Sequence, residues 1–190
     1  MDLHTWMLND LAGVRAKLTD GVLGRVPADR WHEQSDGGGS SITHLVLHLT
    51  RHQDLAVNSA VRDQSPLFVA HRSALGLANM PMWAGLGERE DTDVTTKVSP
   101  EALGTYLDEV FDSTAVWLDA LGSMVLDTVV DTSRRLRDRA ALPPAQLDWL
   151  HRMWADKPVW WFLQWPVIGH GHTHVGEATG VRNRLGFSPF

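Results

Sequence analysis

Apolar residues recur at spacings of three and four in four separate stretches of this 190-residue chain, and no stretch shows the strict alternation that a β-strand requires. Three stretches cover roughly residues 2–22, 41–62 and 100–122, and the fourth begins near Val159. Each is long enough for several helical turns with one apolar face. The sequence therefore predicts an all-α fold, a four-helix bundle with long inter-helix loops, in one domain covering residues 1–190.

Capping residues indicate where these helices begin and end. Ser40 or Ser41 is a candidate N-cap of the second helix, and Ser99, which a proline follows, is the candidate N-cap of the third. Gly186 is predicted to stop the last helix, because glycine readily adopts the left-handed conformation found there. Pro166 lies inside the last apolar pattern, so we expect it either to kink that helix or to mark its true start.

The segments between the long helices carry weaker patterns. Residues 64–98 hold turn residues and no sustained period, and a loop of this length in a compact domain is usually functional or packed against something. The charged stretch DTSRRLRDRAALPPAQ, at 131–146, contains two consecutive prolines and is predicted to be a loop. A short helix is expected over roughly 145–154.

Composition excludes several classes of function. The chain has no cysteine, so disulfides, thiolate metal sites and a cysteine nucleophile are all excluded. The formal net charge of −6 argues against general binding to nucleic acid or to anionic membranes. The N-terminal stretch has no signal-peptide pattern, and no stretch approaches the roughly 20 apolar residues that span a bilayer. We therefore expect a cytoplasmic protein that acts on a small-molecule substrate and binds neither nucleic acid nor membrane.

Three histidines fall within five residues in the stretch HGHTH, which begins at His170. On a helix, His170 and His174 lie on one face about one turn apart, a common start for a zinc-type site. His172 lies about 200° around the helix from His170 and points to the other side. If Gly169 and Gly171 break the helix, His172 becomes available instead.

A third ligand must come from another helix. His44, His48 and His52 are spaced by four on the second helix, and they form one column on one face. His48 is the best candidate, because it lies mid-helix between Leu45 and Leu49, where the chain should be most buried. Three imidazoles leave an open coordination position, which is typical of catalytic rather than structural metal sites. The alternative is that these are ordinary core or surface histidines.

Two of these stretches resemble the motif helices of the DinB/YfiT-like metalloenzyme superfamily. SITHLVLHLTRHQD resembles the helix in which a single histidine is followed by an apolar residue and then Gln-Asp, and HGHTHVGEATGVRNRLG resembles the last helix, with His-x-x-x-His-x-Gly-Glu and a following arginine. The resemblance implies a four-helix bundle, often a homodimer. It also implies a divalent metal held by three histidines, here His48, His170 and His174.

The same motif extends to Glu177, which returns to the helical face of His174. Glu177 could accept a hydrogen bond from a ligand imidazole and orient it. It could equally be a surface carboxylate or form a salt bridge with Arg182 or Arg184, and the sequence leaves these possibilities open. Three further histidines lie outside the pattern, and they leave open which imidazoles bind: His44, His52 and His172.

The superfamily includes mycothiol-dependent maleylpyruvate isomerases and bacillithiol transferases. The resemblance therefore implies a metal-dependent enzyme with thiol-dependent transferase or isomerase chemistry. The thiol would be a low-molecular-weight cosubstrate, because the chain has no cysteine. Zinc or nickel is expected first, with iron or copper as alternatives. Three other functions stay open: a hydrolase that uses metal-bound hydroxide, a non-catalytic metal-binding dimeric bundle, and a plain helical bundle without metal.

Arginines and tryptophans supply weaker candidates. Arg51, Arg72 and the arginine run within 134–139 could hold an anionic substrate, although a solvated charged loop is the favoured interpretation of the run. The tryptophans within 160–165 could form the wall of a pocket, although a core or a dimer interface is favoured for such a cluster.

Overall fold

The structure is a computed structural model that describes residues 2–35, 38–121 and 125–190, and it has the all-α fold that the sequence predicts. Within these ranges there is no β-strand, only an isolated bridge between Val129 and Pro158. The helices are α1 (Leu3–Leu18), α2 (Ile42–Asp54), α3 (Phe68–His71), α4 (Thr92–Thr95), α5 (Pro100–Asp119), α6 (Thr132–Ala140), α7 (Asp148–Trp154), α8 (Val159–Phe162) and α9 (His170–Arg184).

Wider turns of the π type extend the long helices. Thr19–Leu23 continues α1, Leu55–Val61 continues α2, and Leu163–Gly169 joins α8 to α9. The last of these turns contains Pro166. A π turn interrupts the regular hydrogen-bond pattern of the α-helix, so it tolerates proline, which has no backbone N–H to donate. The helical path therefore continues from Val159, and Pro166 delays the regular α-helix until His170.

The four long helices pack around one another in a ring. α1 contacts α5 and α9, and α2 contacts the same two helices from the opposite side. This arrangement is compatible with the four-helix bundle that the sequence predicts. In the part of the chain that the structure describes, no helix has the length and apolar character needed to cross a membrane.

The predicted caps of the long helices are present. Ser41 Oγ accepts a hydrogen bond from the His44 N–H (3.1 Å), and Ser99 Oγ accepts one from the N–H of Ala102 (3.3 Å). After α9, Gly186 has a φ of +89°. Its N–H and that of Phe187 bond back to the last carbonyls of the helix, which is a Schellman motif. The cap predictions at Ser41, Ser99 and Gly186 are therefore confirmed.

The prediction that residues 131–146 form a loop is wrong for its first part, which is α6. The Asp131 side chain caps this helix by accepting a hydrogen bond from the Arg134 N–H (3.1 Å). One face buries Leu136 and Ala140, while the four arginines are half-buried or exposed. With a single large apolar residue on that face, the helical period is too weak to recognise among the charges. The prolines end the segment, as predicted.

Gly171 allows α9 to lie close to α1. A Cβ atom on Gly171 would lie 2.9 Å from Cγ1 of Val14, a fully buried side chain that cannot move aside. Gly176 is on the exposed face of the same helix, and no described atom beyond its own stretch of helix lies within 4 Å of the position that a Cβ would take. Close packing at Gly171 therefore sets the position of the two α9 histidines relative to the rest of the bundle.

We predict that Gly171→Ala destabilises the fold by ~1–3 kcal/mol, because the added methyl group overpacks the contact with Val14. Gly176→Ala is the matched control, and it should raise stability by ~0.5–1 kcal/mol through helix propensity alone. Urea unfolding followed by far-ultraviolet circular dichroism measures both changes. Equal stability of the two variants would contradict the close approach of α1 and α9.

Candidate metal centre

The histidine column of α2 lies inside the protein. All residues from Ile42 to Asp54 are buried, including His44, His48 and His52. The His44 and His48 rings are stacked with centroids 5.6 Å apart, and the His48 and His52 centroids are 4.5 Å apart. The column expected from the spacing of four is therefore present, and it faces other protein groups rather than solvent.

The HGHTH stretch is helical, because α9 begins at His170. His170 and His174 are buried on one face, with ring centroids 4.3 Å apart. His172 lies on another face, where its Nε2 contacts the Asp10 carboxylate at 3.0 Å. Of the two alternatives in the sequence, the helical one is observed, and it turns His172 away from the other histidines.

The structure brings the three predicted ligands together. The His48 ring centroid is 5.0 Å from that of His170 and 4.8 Å from that of His174. His52 joins the same group, with its ring centroid 4.8 Å from that of His170. The buried cluster thus contains four imidazoles, one more than the sequence-based ligand set.

Two sets of three residues have ligand atoms that all lie within 4.8 Å of one another. One set is His48, His52 and His170, and the other is His48, Glu88 and His174. Neither set is the predicted trio, but both contain His48 and each contains one of the α9 histidines. The ligand atoms of these two sets could therefore hold a cation near His48, and more than one combination of ligands is available.

Hydrogen bonds determine which ring nitrogens carry protons. A carbonyl oxygen can only accept, so the 3.2 Å contact between His48 Nδ1 and the Gly85 carbonyl places a proton on Nδ1. Nε2 of His48 then offers a lone pair, and it is buried with no partner among the residues that the structure describes. A buried acceptor without a partner is unfavourable by ~1–3 kcal/mol, and a metal ion would satisfy it.

The α9 pair has a similar arrangement. His174 Nδ1 contacts the Glu177 carboxylate at 2.7 Å, as an orienting role for Glu177 requires. His174 Nε2 lies 2.9 Å from His170 Nε2, a distance that requires a proton between the two nitrogens. With the His174 proton on Nδ1, that shared proton belongs to His170. A cation could replace this proton and bind both Nε2 atoms.

The pKa values of these imidazoles favour the neutral form, which is the form that binds metals. Burial first, and then the neighbouring His170 and His174, lower the pKa of His48 to about 3. Burial and then His174 lower the pKa of His170 to about 3. Burial also lowers the pKa of His52 well below its ordinary value. His48, His52 and His170 are thus neutral nitrogen donors at pH 7, and such donors fit a divalent transition metal.

A cleft of about 460 Å³ opens beside His174. Its wall combines apolar groups with charged side chains from α9 and from the loop between α3 and α4. The residues that line it are Ser40, Leu45, Glu88, His174, Glu177, Gly180, Val181 and Arg184. The histidine cluster therefore has one side that a small molecule can reach.

The arginines that were considered for binding an anionic substrate form contacts within the protein. Arg51 and Arg72 donate to backbone carbonyls of the loop between α3 and α4. Arg134 and Arg139 donate to the Asp63 carboxylate, so these two residues of the run are structural.

Of the tryptophans, Trp165 is 40% exposed and its ring centroid lies 6.1 Å from that of His170, so it forms part of the wall around the cluster.

Sequence reasoning missed the contribution of the loop over 82–88. Its backbone carbonyls contact His48 and His52, and its Glu88 lies within reach of His48 and His174. The two glycines in the stretch AGLGERE were the available signal, since they suggest special backbone geometry. The approach of this loop to α2 depends on tertiary packing, which no local pattern encodes.

Buried neutral imidazoles make the stability of the metal-free protein depend on pH. Their pKa is lower in the folded state than the ordinary 6.5, so the unfolded state binds more protons between about pH 3 and pH 6.5.

We predict that the free energy of unfolding, measured with a chelator present, is constant above about pH 6.5 and falls below it. The slope is at most ~1.4 kcal/mol per pH unit for each imidazole. Urea unfolding at pH 7, 6 and 5 measures this slope, which His170→Ala should reduce. A wild-type stability that does not change from pH 7 to pH 5 would contradict the buried neutral cluster.

Comparisons with known proteins agree with this fold. A family model described as the DinB superfamily matches residues 11–178. A conserved protein from Enterococcus faecalis, known from its crystal structure, has a TM-score of 0.69 and 19% identity over 97% of this chain and 98% of that chain, so the likeness concerns the fold. No curated protein matches the sequence. Because the family model spans most of the chain, this protein belongs to the DinB superfamily.

Proposed function

We propose that the protein is a divalent-metal-dependent enzyme whose ion is held by His48, His170 and His174. The observation that carries the proposal is the convergence of buried imidazoles around His48 Nε2, a buried acceptor that lacks a partner within the described ranges. Zinc or nickel is the proposed ion, with iron or copper as alternatives, because imidazole nitrogen suits all four.

The chain's own residues prepare this site. Glu177 holds a proton on Nδ1 of His174, and the Gly85 carbonyl holds one on Nδ1 of His48, so that each Nε2 atom carries a lone pair instead of a proton. Three protein ligands would leave one coordination position for a small molecule, and a cleft lies beside His174. A divalent ion at such a site supplies a Lewis acid that lowers the pKa of a thiol or water in the open position.

Thiol-dependent transferase or isomerase chemistry is the proposed reaction class. The chain has no cysteine, so the reacting sulfur would belong to a low-molecular-weight thiol that enters the cleft with its small-molecule substrate. The cytoplasm is the proposed location, because such thiols are kept reduced there. A homodimer of a single domain that spans residues 1–190 is proposed on the resemblance to the family.

Two other functions use the same cluster. If water rather than a thiol takes the open position, the protein is a metal-dependent hydrolase. If His52 completes the coordination shell, the ion has four protein ligands and only ties helices together. The structural role is supported by the ligand atoms of His48, His52 and His170, which lie within 4.8 Å of one another.

The ligand set is tested by metal analysis of untagged protein purified without chelator. We expect His48→Ala, His170→Ala and His174→Ala each to reduce bound first-row metal to less than about a tenth of the wild-type amount. His52→Ala should retain metal. His172→Ala is the matched control, because His172 lies on the same helix and faces Asp10. Metal loss in His52→Ala together with full retention in His174→Ala would contradict the proposed trio.

The reaction class is tested on metal-loaded protein with mycothiol, bacillithiol or glutathione and a panel of electrophilic acceptors. We expect the acceptor to be consumed only when both thiol and metal are present, and His172→Ala to behave as the wild type. Equal consumption without any thiol would favour the hydrolase. Bound metal with no consumption in any combination would favour the non-catalytic bundle.

A further inference from the structure

Two consecutive carbonyls of the loop between α3 and α4 contact two consecutive turns of the α2 histidine column. The Gly85 carbonyl lies 3.2 Å from His48 Nδ1, and the Leu86 carbonyl lies 3.2 Å from His52 Nε2. Since a carbonyl only accepts, each contact fixes the position of one imidazole proton. The loop therefore assigns opposite tautomers to the two histidines, leaving Nε2 of His48 and Nδ1 of His52 without a proton.

Gly85 is required for this geometry. Its φ is +79°, in the left-handed region, and a Cβ atom there would lie 2.7 Å from Cδ2 of the fully buried Leu47. An added Cβ atom would have to displace either the Leu47 side chain or the loop, and a shift of the loop would move the carbonyl away from His48. Gly87, two residues later, is exposed and has only the Arg89 carbonyl within 4 Å of its Cβ position, at 3.7 Å.

Arg51 holds the loop in place from the same helix that carries the histidines. Its side chain is fully buried, and it donates hydrogen bonds to the carbonyls of Met82 and Ala84. The Cζ atom of its guanidinium lies 3.4 Å from the ring centroid of Phe68, so the Phe68 ring covers one face of the guanidinium. Ala84 directly precedes Gly85, so the arginine fixes the backbone immediately before the carbonyl that contacts His48.

Charged and polar partners keep this buried arginine in position. Burial lowers the pKa of Arg51, and attraction to Tyr106 and then to Asp54, one helical turn away, opposes this shift. Asp54 is in turn held by the Tyr106 hydroxyl at 2.7 Å and by the Phe68 N–H at 2.9 Å. The arginine, the loop and the two histidines that the loop contacts, His48 and His52, thus form one connected buried unit.

We propose that Arg51 and Gly85 are positioning residues of the metal centre. Arg51 clamps residues 82–86 onto α2, and the Gly85 carbonyl keeps the His48 proton on Nδ1, which presents Nε2 to the ion. Hydrogen bonds of this kind to metal-binding histidines orient the ring and raise its basicity. The inference rests on the proposed metal-dependent function, but the tautomer can be measured without metal.

The first test is long-range ¹H–¹⁵N nuclear magnetic resonance of the metal-free wild-type protein at pH 7. We expect His48 with its proton on Nδ1 and His52 with its proton on Nε2. A His48 proton on Nε2, or an equal mixture of the two forms, would overturn the proposal. This outcome does not depend on whether the protein binds a metal, so a failure of the proposed function leaves the test intact.

The second test compares Gly85→Ala with Gly87→Ala by competition against a chromogenic chelator. We expect Gly85→Ala to weaken metal affinity ~10–100-fold, the usual effect of losing such a partner, and to lose the pure Nδ1–H form of His48. Gly87→Ala should match the wild type in both readouts, and Arg51→Lys should resemble Gly85→Ala, because lysine lacks the planar set of donors. Wild-type affinity in a folded Gly85→Ala variant would overturn the proposal. If that variant does not fold, the wild-type spectrum decides.

Discussion

Helix α2 is buried on every face, although it carries three histidines, an arginine and an aspartate. A buried polar group needs a partner, because its lost hydration is otherwise uncompensated. The polar residues of α2 therefore need hydrogen-bonding partners from the elements that pack against this helix. α5 supplies Tyr106 to Asp54 and Thr114 to Gln53, and the loop between α3 and α4 supplies carbonyls to the histidines and to Arg51. Among the described residues, Nε2 of His48 is a buried acceptor without such a partner, and it lies beside the α9 imidazoles.

This constraint explains why the longest irregular segment of the chain is also closely packed. Residues between α3 and α4 bury Leu75, Leu77, Ala84 and Leu86, and their backbone reaches the centre of the bundle. Glycines and arginines allow this approach, since Gly85 leaves room for Leu47 and Arg51 satisfies two carbonyls. The loop thus contributes to the site through the backbone carbonyls of Gly85 and Leu86 and through the Glu88 side chain.

The helices and the histidine geometry could be predicted from sequence because both depend on local periodicity. Spacing by four was enough to place His170 and His174 together and to turn His172 away. α6 was missed because its buried face contains a single large apolar residue, Leu136. The place of His52 in the cluster and the contacts of Gly85 were not predictable, since they depend on how a loop distant in sequence packs on α2.

The most direct test of the metal centre is anomalous X-ray diffraction from crystals of the metal-loaded protein, recorded at the absorption edge of the bound ion. We expect one anomalous peak within bonding distance, ~2.0–2.1 Å for zinc, of Nε2 of His48, His170 and His174, with a non-protein atom in the remaining position. A crystal without a peak at the cluster, or a peak bonded to His52 in place of His174, would contradict it.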